Sequence, residues 1–369
     1  MKKFAIIGAN SFQNRLILKA KEKGYETHVF AWECGDIGEK TADCFYPISI
    51  VEKEQILEKC KEIGIDGIAS IASDLAVITV NYVAENLGLT CNSYEDSYIC
   101  TNKHAMREAF EKAGVPVPKY IKASCVPTEN ALKDFCYPLI VKPTDRSGSR
   151  GITKVEGYGE LHEAVERAVA QSFEKCAVIE EFIEGEEYSC ECVSYNGKHH
   201  FLALTKKYTT GAPNFIETGH RQPSDIPEEY KRGIIEQIFM ALTALNIKNG
   251  ASHSEFRLNS KGEARIIEIG ARMGGDCIGS DLVYLSTGVD FVGAVVDIAC
   301  GNTPDLSPRH EPQNAVIRFI FTEDDIAELE KIKIDKSKII RYISDMDISN
   351  IGKITDSSNR VGYYIYTEE

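Results

Sequence analysis

The chain has 369 residues, 43% of them apolar and 27% charged, and a formal net charge of −14. That balance belongs to a globular protein with a core to bury and room for two or three compact units. The acidic excess, without clustered Lys and Arg, excludes a sizeable nucleic-acid footprint. No apolar run approaches the ~20 residues that span a bilayer, since even "VGAVVDIAC" is broken by Asp297, so the expected partners are small molecules and not membranes.

The opening "MKKFAIIGAN" turns polar at Asn10 before a signal-peptide core can form, and the twelve cysteines are expected to be reduced thiols of a cytoplasmic protein. Residues 1–100 alternate short apolar runs with helical patterns in a β-α-β-α-β rhythm, which predicts an N-terminal α/β unit with a parallel sheet. Its first turn, "GANSFQNR", lacks the G-x-G-x-x-G of a dinucleotide fold. Ser73 and Asp74 follow the third apolar strand, where a small-molecule site can form, although an N-cap for the next helix is the plainer role.

Near residue 100 the texture changes, and "TNKHAMREAFEKAG" predicts a helix stopped by two prolines. An α+β unit over 101–303 is expected from there, with a sub-unit over about 115–190. That sub-unit holds the strand "YPLIVKP", the glycine-rich "TDRSGSRG", an amphipathic helix and the strand "CAVIEEFI". A hairpin turning at Asn196-Gly197 follows; Cys190 and Cys192 on its first strand read as buried core residues. A second hairpin turns at "NSKG", and residues 304–369 carry the strand-like runs of a small β-rich end.

The second hairpin carries the chief chemical signal. With 259–262 as a four-residue loop, Leu258 faces Glu263, His253 lies opposite Glu268, and Glu255 sits one diagonal step from Glu268 on the same face. Such a pair of carboxylates is either a site for a hard divalent cation or two exposed surface glutamates. The loop "DRSGSRG" after Lys142 can wrap phosphate oxygens with backbone N–H groups, or it is an ordinary flexible loop. "VIEEFIEGEE" offers a strand running into a hinge that can read an adenine edge, with Glu187 as a ribose acceptor; its alternative is a solvated acidic run.

Taken in order, these local sequences resemble the ATP-grasp superfamily, whose members use ATP to activate a carboxylate as an acyl phosphate for transfer to a nucleophile. The resemblance implies an ATP-grasp fold with an N-terminal parallel-sheet domain, a mobile lid and a small C-terminal β-rich part. It also implies ATP and Mg²⁺, or Mn²⁺ in its place. By that resemblance Lys103 and Lys142 are the nucleotide lysines, and Ser147, Gly148, Ser149 and Arg150 form the loop over the phosphates. Glu180, Glu181, Phe182 and Ile183 form the adenine hinge, Glu187 meets the ribose, and Glu255 and Glu268 bind the metal.

Many members carry Asn two residues after the second metal glutamate, where this chain has Gly270. "HSEFRL…IIEIGARMGGD", preceded by "ETGHRQPS", looks most like bacterial L-amino-acid ligases. On this reading the chain is a carboxylate–amine ligase, with small-molecule carboxylate and amine substrates and a homodimer as the default assembly. Arg272 would stabilise developing negative charge, and Gly274 and Gly275 would let backbone approach the substrate or would simply start a helix. His253 is a catalytic candidate, as an orienting group or base, and His220 and Arg221, in a polar loop, are substrate candidates; a plain structural hydrogen-bonding role is the alternative for all three. The enzymatic alternative is an ATP-grasp carboxylase or carbamoyl-phosphate-type enzyme activating bicarbonate. Gly270 leaves room for a third, a nucleotide sensor without catalysis.

Overall fold

The computed structural model describes residues 1–148, 150–211, 215–354 and 357–368. Its first unit runs β1 (Lys3–Ile7), α1 (Ser11–Glu22), β2 (Glu26–Phe30), α2 (Ile37–Thr41), β3 (Cys44–Tyr46), α3 (Lys53–Ile63), β4 (Gly67–Ala69) and α4 (Asp74–Leu87). The sheet order is β3-β2-β1-β4 and every pairing is parallel. Helices cover both faces, which is why β1 reads as an unbroken apolar run, with Phe4, Ala5, Ile6 and Ile7 all buried. The short α2 and β3 carry too few apolar residues to be visible as a period.

After α5 (Ser97–Thr101) and α6 (Lys103–Lys112) comes a small antiparallel sheet of β5 (Tyr120–Ala123), β6 (Leu139–Pro143), β7 (Thr153–Val155) and β8 (Ala177–Glu181), ordered β5-β8-β6-β7. Helix α7 (Leu161–Gln171) covers one face. Its Leu161, Ala164, Val165 and Ala168, spaced three and four apart, bury against Leu139, Val141 and Ile179.

The rest of the chain builds an eight-stranded sheet in the order β13-β12-β9-β10-β11-β14-β16-β15. Its elements are β9 (Glu186–Tyr195), β10 (Lys198–Thr209), β11 (Glu217–Gln222), α8 (Glu228–Ala244), β12 (Gly250–Leu258), β13 (Ala264–Gly270), α9 (Val283–Thr287), α10 (Phe291–Ala299), β14 (Asn314–Ile320), α11 (Glu323–Ile334), β15 (Lys338–Ile343) and β16 (Gly362–Glu368). The C-terminal strands therefore lie in the same sheet as the carboxylate hairpin. At the β9–β10 turn Asn196 and Gly197 both have positive φ, as the Asn-Gly pair predicts.

Helix α8 packs Ile234, Ile238 and Leu242 onto one face of this sheet, with Cys190, Cys192, Phe256 and Ile266. On the other face, α10 joins Val193, Leu202 and Ala251 to Phe4, Ile6 and Leu16 of the first unit in one continuous core. All twelve cysteines are free. Among the described residues no single helix is long and apolar enough to cross a membrane. One pair passes together, Ile278–Thr287 with Phe291–Ala299, but it is bent by 119° and α10 is largely buried in that core.

Candidate active site

The site floor is the β12–β13 hairpin, and its register differs from the one expected. The strands pair Leu258 with Ala264 and Phe256 with Ile266, and then a bulge brings Glu255 directly opposite Glu268 and His253 opposite Gly270. The loop is thus longer than "NSKG", and Ile267 is the extra residue of the bulge. The bulge has two effects. It places the two carboxylates side by side instead of diagonally, and the Ile267 carbonyl accepts a 2.6 Å hydrogen bond from Arg107 Nη2.

Both carboxylates are part-exposed in a cleft between the small sheet and the large one. Glu268 Oε1 accepts from Lys103 Nζ at 3.0 Å, and Glu255 Oε1 takes Lys207 Nζ and, at 3.2 Å, His253 Nε2. The second oxygen of each has no hydrogen-bond partner among the described residues. Nor does a third Asp, Glu, His or Cys complete a ligand set with them there. This donor set fits Mg²⁺, which takes one or two carboxylates and fills its octahedron with phosphate oxygens and water.

Lys103 opens α6, where Asn102 caps the helix by accepting from the backbone N–H groups of His104 and Ala105. Its Nζ also donates to the Arg146 carbonyl at 2.6 Å, so one lysine joins the glycine loop to the floor. Ser147 and Gly148 line the cleft; Arg150 faces an adjoining cavity with Asp74, Lys103 and Glu268. Ser149 lies outside the described residues.

Lys142 is buried and ion-paired with Glu180, which also binds Arg107 Nε at 3.0 Å and Nη2 at 3.3 Å. Burial favours the neutral acid, yet Arg107 and Lys142 outweigh it and hold the Glu180 carboxyl at about 2. Burial lowers the Lys142 ammonium in spite of Glu180. The Glu180 side chain is therefore committed to Lys142 and Arg107. Glu180, Glu181, Phe182 and Ile183 all line the cleft. The Phe182 N–H is taken by the Pro138 carbonyl, the Ile183 carbonyl accepts from Arg257, and the Phe182 ring lies between Arg257 and Lys154. Glu187 meets Arg257 at 3.1 Å and Lys207 at 3.5 Å.

His253 is gripped from both sides, by Glu191 at Nδ1 and Glu255 at Nε2. Burial lowers its pKa, but the two carboxylates raise it to about 9. Both ring nitrogens are engaged by carboxylates, an arrangement that suits an orienting role. Gly274 has a related explanation. Its N–H donates to Glu191 at 3.1 Å, and a Cβ there would stand 2.7 Å from His253 Nδ1. The glycine serves this contact, and its N–H does not face a substrate. Gly275 has only ordinary contact at that position.

Arg272 lines the cleft and forms a two-point ion pair with Asp74, Nε–Oδ1 2.9 Å and Nη2–Oδ2 3.0 Å. Ser73 is the N-cap of α4, its hydroxyl accepting from Ala76 N–H, and Asp74, at the edge of the adjoining cavity, holds Arg272. His220 is buried beside Phe319, 3.8 Å from Asp276, and Arg221 points outward to Glu368. Neither lines the cleft; Glu217 on the same strand does. Glu217 and Asp276 are joined by Arg360 at 3.0 Å each.

Three cleft residues escaped sequence reasoning, Lys207, Glu217 and Arg257, as did two buried residues behind the cleft, Arg107 and Glu191. Lys207 is buried facing Glu255, Glu187 and Glu217, which raise its pKa against the lowering by burial. The available signal was charge in otherwise apolar strands, as in "CEC", where alternation turns Glu191 away from the buried cysteines.

Residues 135–281, which include the glycine loop, the hinge and the paired glutamates, match the model of the ATP-grasp domain. The chain carries an ATP-grasp domain. The chain is 30% identical over 280 residues to the alanine–anticapsin ligase of Bacillus subtilis (strain 168), covering 69% of the chain and 58% of that relative. It is 22% identical over 339 residues to carnosine synthase 1 of Homo sapiens, covering 84% of the chain and 41% of the relative. The L-amino acid ligase structure from Bacillus licheniformis superposes with a TM-score of 0.83 at 23% identity, over 100% of this chain and 94% of that one. The chain spans 58% to 64% of the length of the first curated relatives it matches.

Proposed function

We propose that the chain is an ATP-dependent carboxylate–amine ligase that joins amino-acid substrates through an acyl phosphate. The observation that carries this reading is the direct opposition of Glu255 and Glu268, each with a free oxygen, beneath Lys103 and beside Arg272. Mg²⁺ held by these two carboxylates would neutralise phosphate oxygens. Lys103, Lys142 and the 147–150 loop would hold the nucleotide phosphates, with adenine at 181–183 and ribose at Glu187. A substrate carboxylate oxygen attacks the γ-phosphorus and ADP leaves; an amine then attacks the acyl carbon and phosphate leaves. Arg272 offers N–H donors where negative charge develops on the acyl oxygen. The relatives named for alanine–anticapsin, carnosine and L-amino acid ligation support amino acids as the substrate class.

The test is phosphate release from Mg-ATP across a panel of amino-acid pairs, with mass spectrometry of the product. Release that needs both partners, together with a product lighter than their sum by one water, supports the proposal. No release across the panel, or ADP release that follows bicarbonate and ignores amino acids, overturns it.

A further inference from the structure

Asp74 and Arg272 lie 198 residues apart, on different sheets' connections, yet meet in a two-point ion pair. The turn that delivers Asp74 is anchored on both sides. The Ser70 hydroxyl donates to the Ile7 carbonyl at 2.7 Å, Gln13 Nε2 donates to the Ile71 carbonyl at 2.7 Å, and the Ala72 N–H donates to the Met273 carbonyl at 3.3 Å. Ala72 takes a positive φ of 57° to make that last contact. Arg272 spends Nε and one N–H of Nη2 on Asp74 and one N–H of Nη1 on its neighbour's carbonyl at 3.3 Å. Among the described residues one N–H on each terminal nitrogen has no acceptor, in a side chain that lines the cleft.

Gly270 explains the rest. Its backbone is not in the left-handed region, so conformational freedom is not what it supplies. A Cβ there would stand 2.9 Å from Asp74 Oδ1 and 3.0 Å from both Arg272 Cζ and Nε. The space that a side chain at 270 would fill is occupied by the ion pair.

We infer that Asp74 is a positioning residue that clamps Arg272 in the cleft, and that Gly270 is glycine to make room for this clamp rather than a ligand position left vacant. The first unit thus contributes to a site otherwise built between the small sheet and the large one. This rests on the ligase reading, in which Arg272 meets the developing charge. The experiment is steady-state, amine-dependent phosphate release with thermal unfolding recorded for every variant. Asp74→Asn lowers kcat about 10- to 100-fold, the scale of a misplaced catalytic group, while KM for ATP stays near wild type, and Asp74→Glu recovers part of the loss. Arg272→Lys sets the limit, and adding Asp74→Asn to it costs nothing further, because the two residues act as one unit. Gly270→Ala falls like Asp74→Asn and adds little to it. Wild-type kcat in Asp74→Asn, or losses that multiply in the double variant, overturns the inference. The ¹⁵Nε resonance of Arg272 reads the clamp without turnover. A free-arginine signal in the wild-type chain sinks the inference even if the chain releases no phosphate, an inactivity that would count against the ligase reading instead.

Discussion

Three lysine–glutamate pairs stand on the two walls of the cleft, one on the first and two on the second, and they differ in what remains free. Glu180 has both oxygens bound, by Lys142 and Arg107, and its side chain is 4% exposed. Glu255 and Glu268 each have one oxygen bound by a lysine and one without a partner among the described residues, and each side chain is 26% exposed. The first arrangement is closed and holds Lys142 and the hinge strand in place. The second is open and leaves lone pairs for a ligand. The same residue types thus serve framework or chemistry according to how many cations surround the carboxylate.

Breaking the closed pair has the largest expected effect. Glu180→Gln leaves Lys142 and Arg107 as buried cations without a counter-charge, and removing one partner of such a group costs about 3–5 kcal/mol of stability. Denaturant unfolding of the two proteins at pH 7 checks this. The pH dependence has a definite sign. The Glu180 pKa is held at about 2, below the ordinary value of 4.5, so its contribution is full above the unfolded pKa and is lost as pH falls toward 2. The stability gap between wild type and Glu180→Gln therefore narrows between pH 5 and pH 2; a constant gap would show that the carboxylate's charge is not what matters.

Opening the other wall tests the ligand side. Glu268→Gln or Glu255→Gln keeps the shape of the floor but removes an anionic oxygen, and amine-dependent phosphate release is expected to fall about 10²- to 10³-fold, the several kcal/mol attributed to metal stabilisation of charge. The Mg²⁺ concentration giving half-maximal rate should rise while unfolding temperature changes little. An unchanged Mg²⁺ requirement would place the metal elsewhere.

This contrast marks where the sequence was legible. Strand alternation shows that Glu255 and Glu268 share a face, and the β-α-β rhythm shows the parallel sheet. The register is off because a bulge at Ile267 leaves no local trace in the chain. Arg107 lies within the ordinary helix pattern "KHAMREAFEK", and only a contact 73 residues away turns it into the Glu180 partner. The ion pairing of Glu180 was hidden because its buried cations come from β6 and α6. Asp74 looked like a helix cap because its partner is on the far side of the chain. Periodicity records burial, whereas charge pairing across sheets is set by topology.

Lys207 offers a subtler way to shift one wall toward the other. It stands among Glu255, Glu187 and Glu217, each of which has a further cationic neighbour: His253, Arg257 and Arg360 respectively. Lys207→Met removes the ammonium and keeps the stem, so destabilisation is expected to be only about 1–3 kcal/mol. Added Mg²⁺ should restore part of it, because a ligand that binds only the folded state stabilises it by mass action. Unfolding temperature measured with and without Mg²⁺ decides this, and equal Mg²⁺ responses in variant and wild type would argue that Lys207 does not compete with the cation.

The smallest expected effect belongs to the closed wall's outer edge. The Phe182 ring lies 4.7 Å from the Arg257 guanidinium and 4.8 Å from Lys154 Nζ, at the hinge end of the cleft. It touches neither Glu255 nor Glu268 through any hydrogen bond or ion pair, so it should contribute binding that is equal in the ground and transition states. Phe182→Ala removes a cation–π contact of about 0.5–1 kcal/mol, and KM for ATP is expected to rise only a few-fold with kcat unchanged, the signature of uniform binding. A fall in kcat instead would mean that the hinge transmits its position to the floor. Lys142 on the adjacent strand would be the carrier, and the closed pair would have to be counted as part of the chemistry.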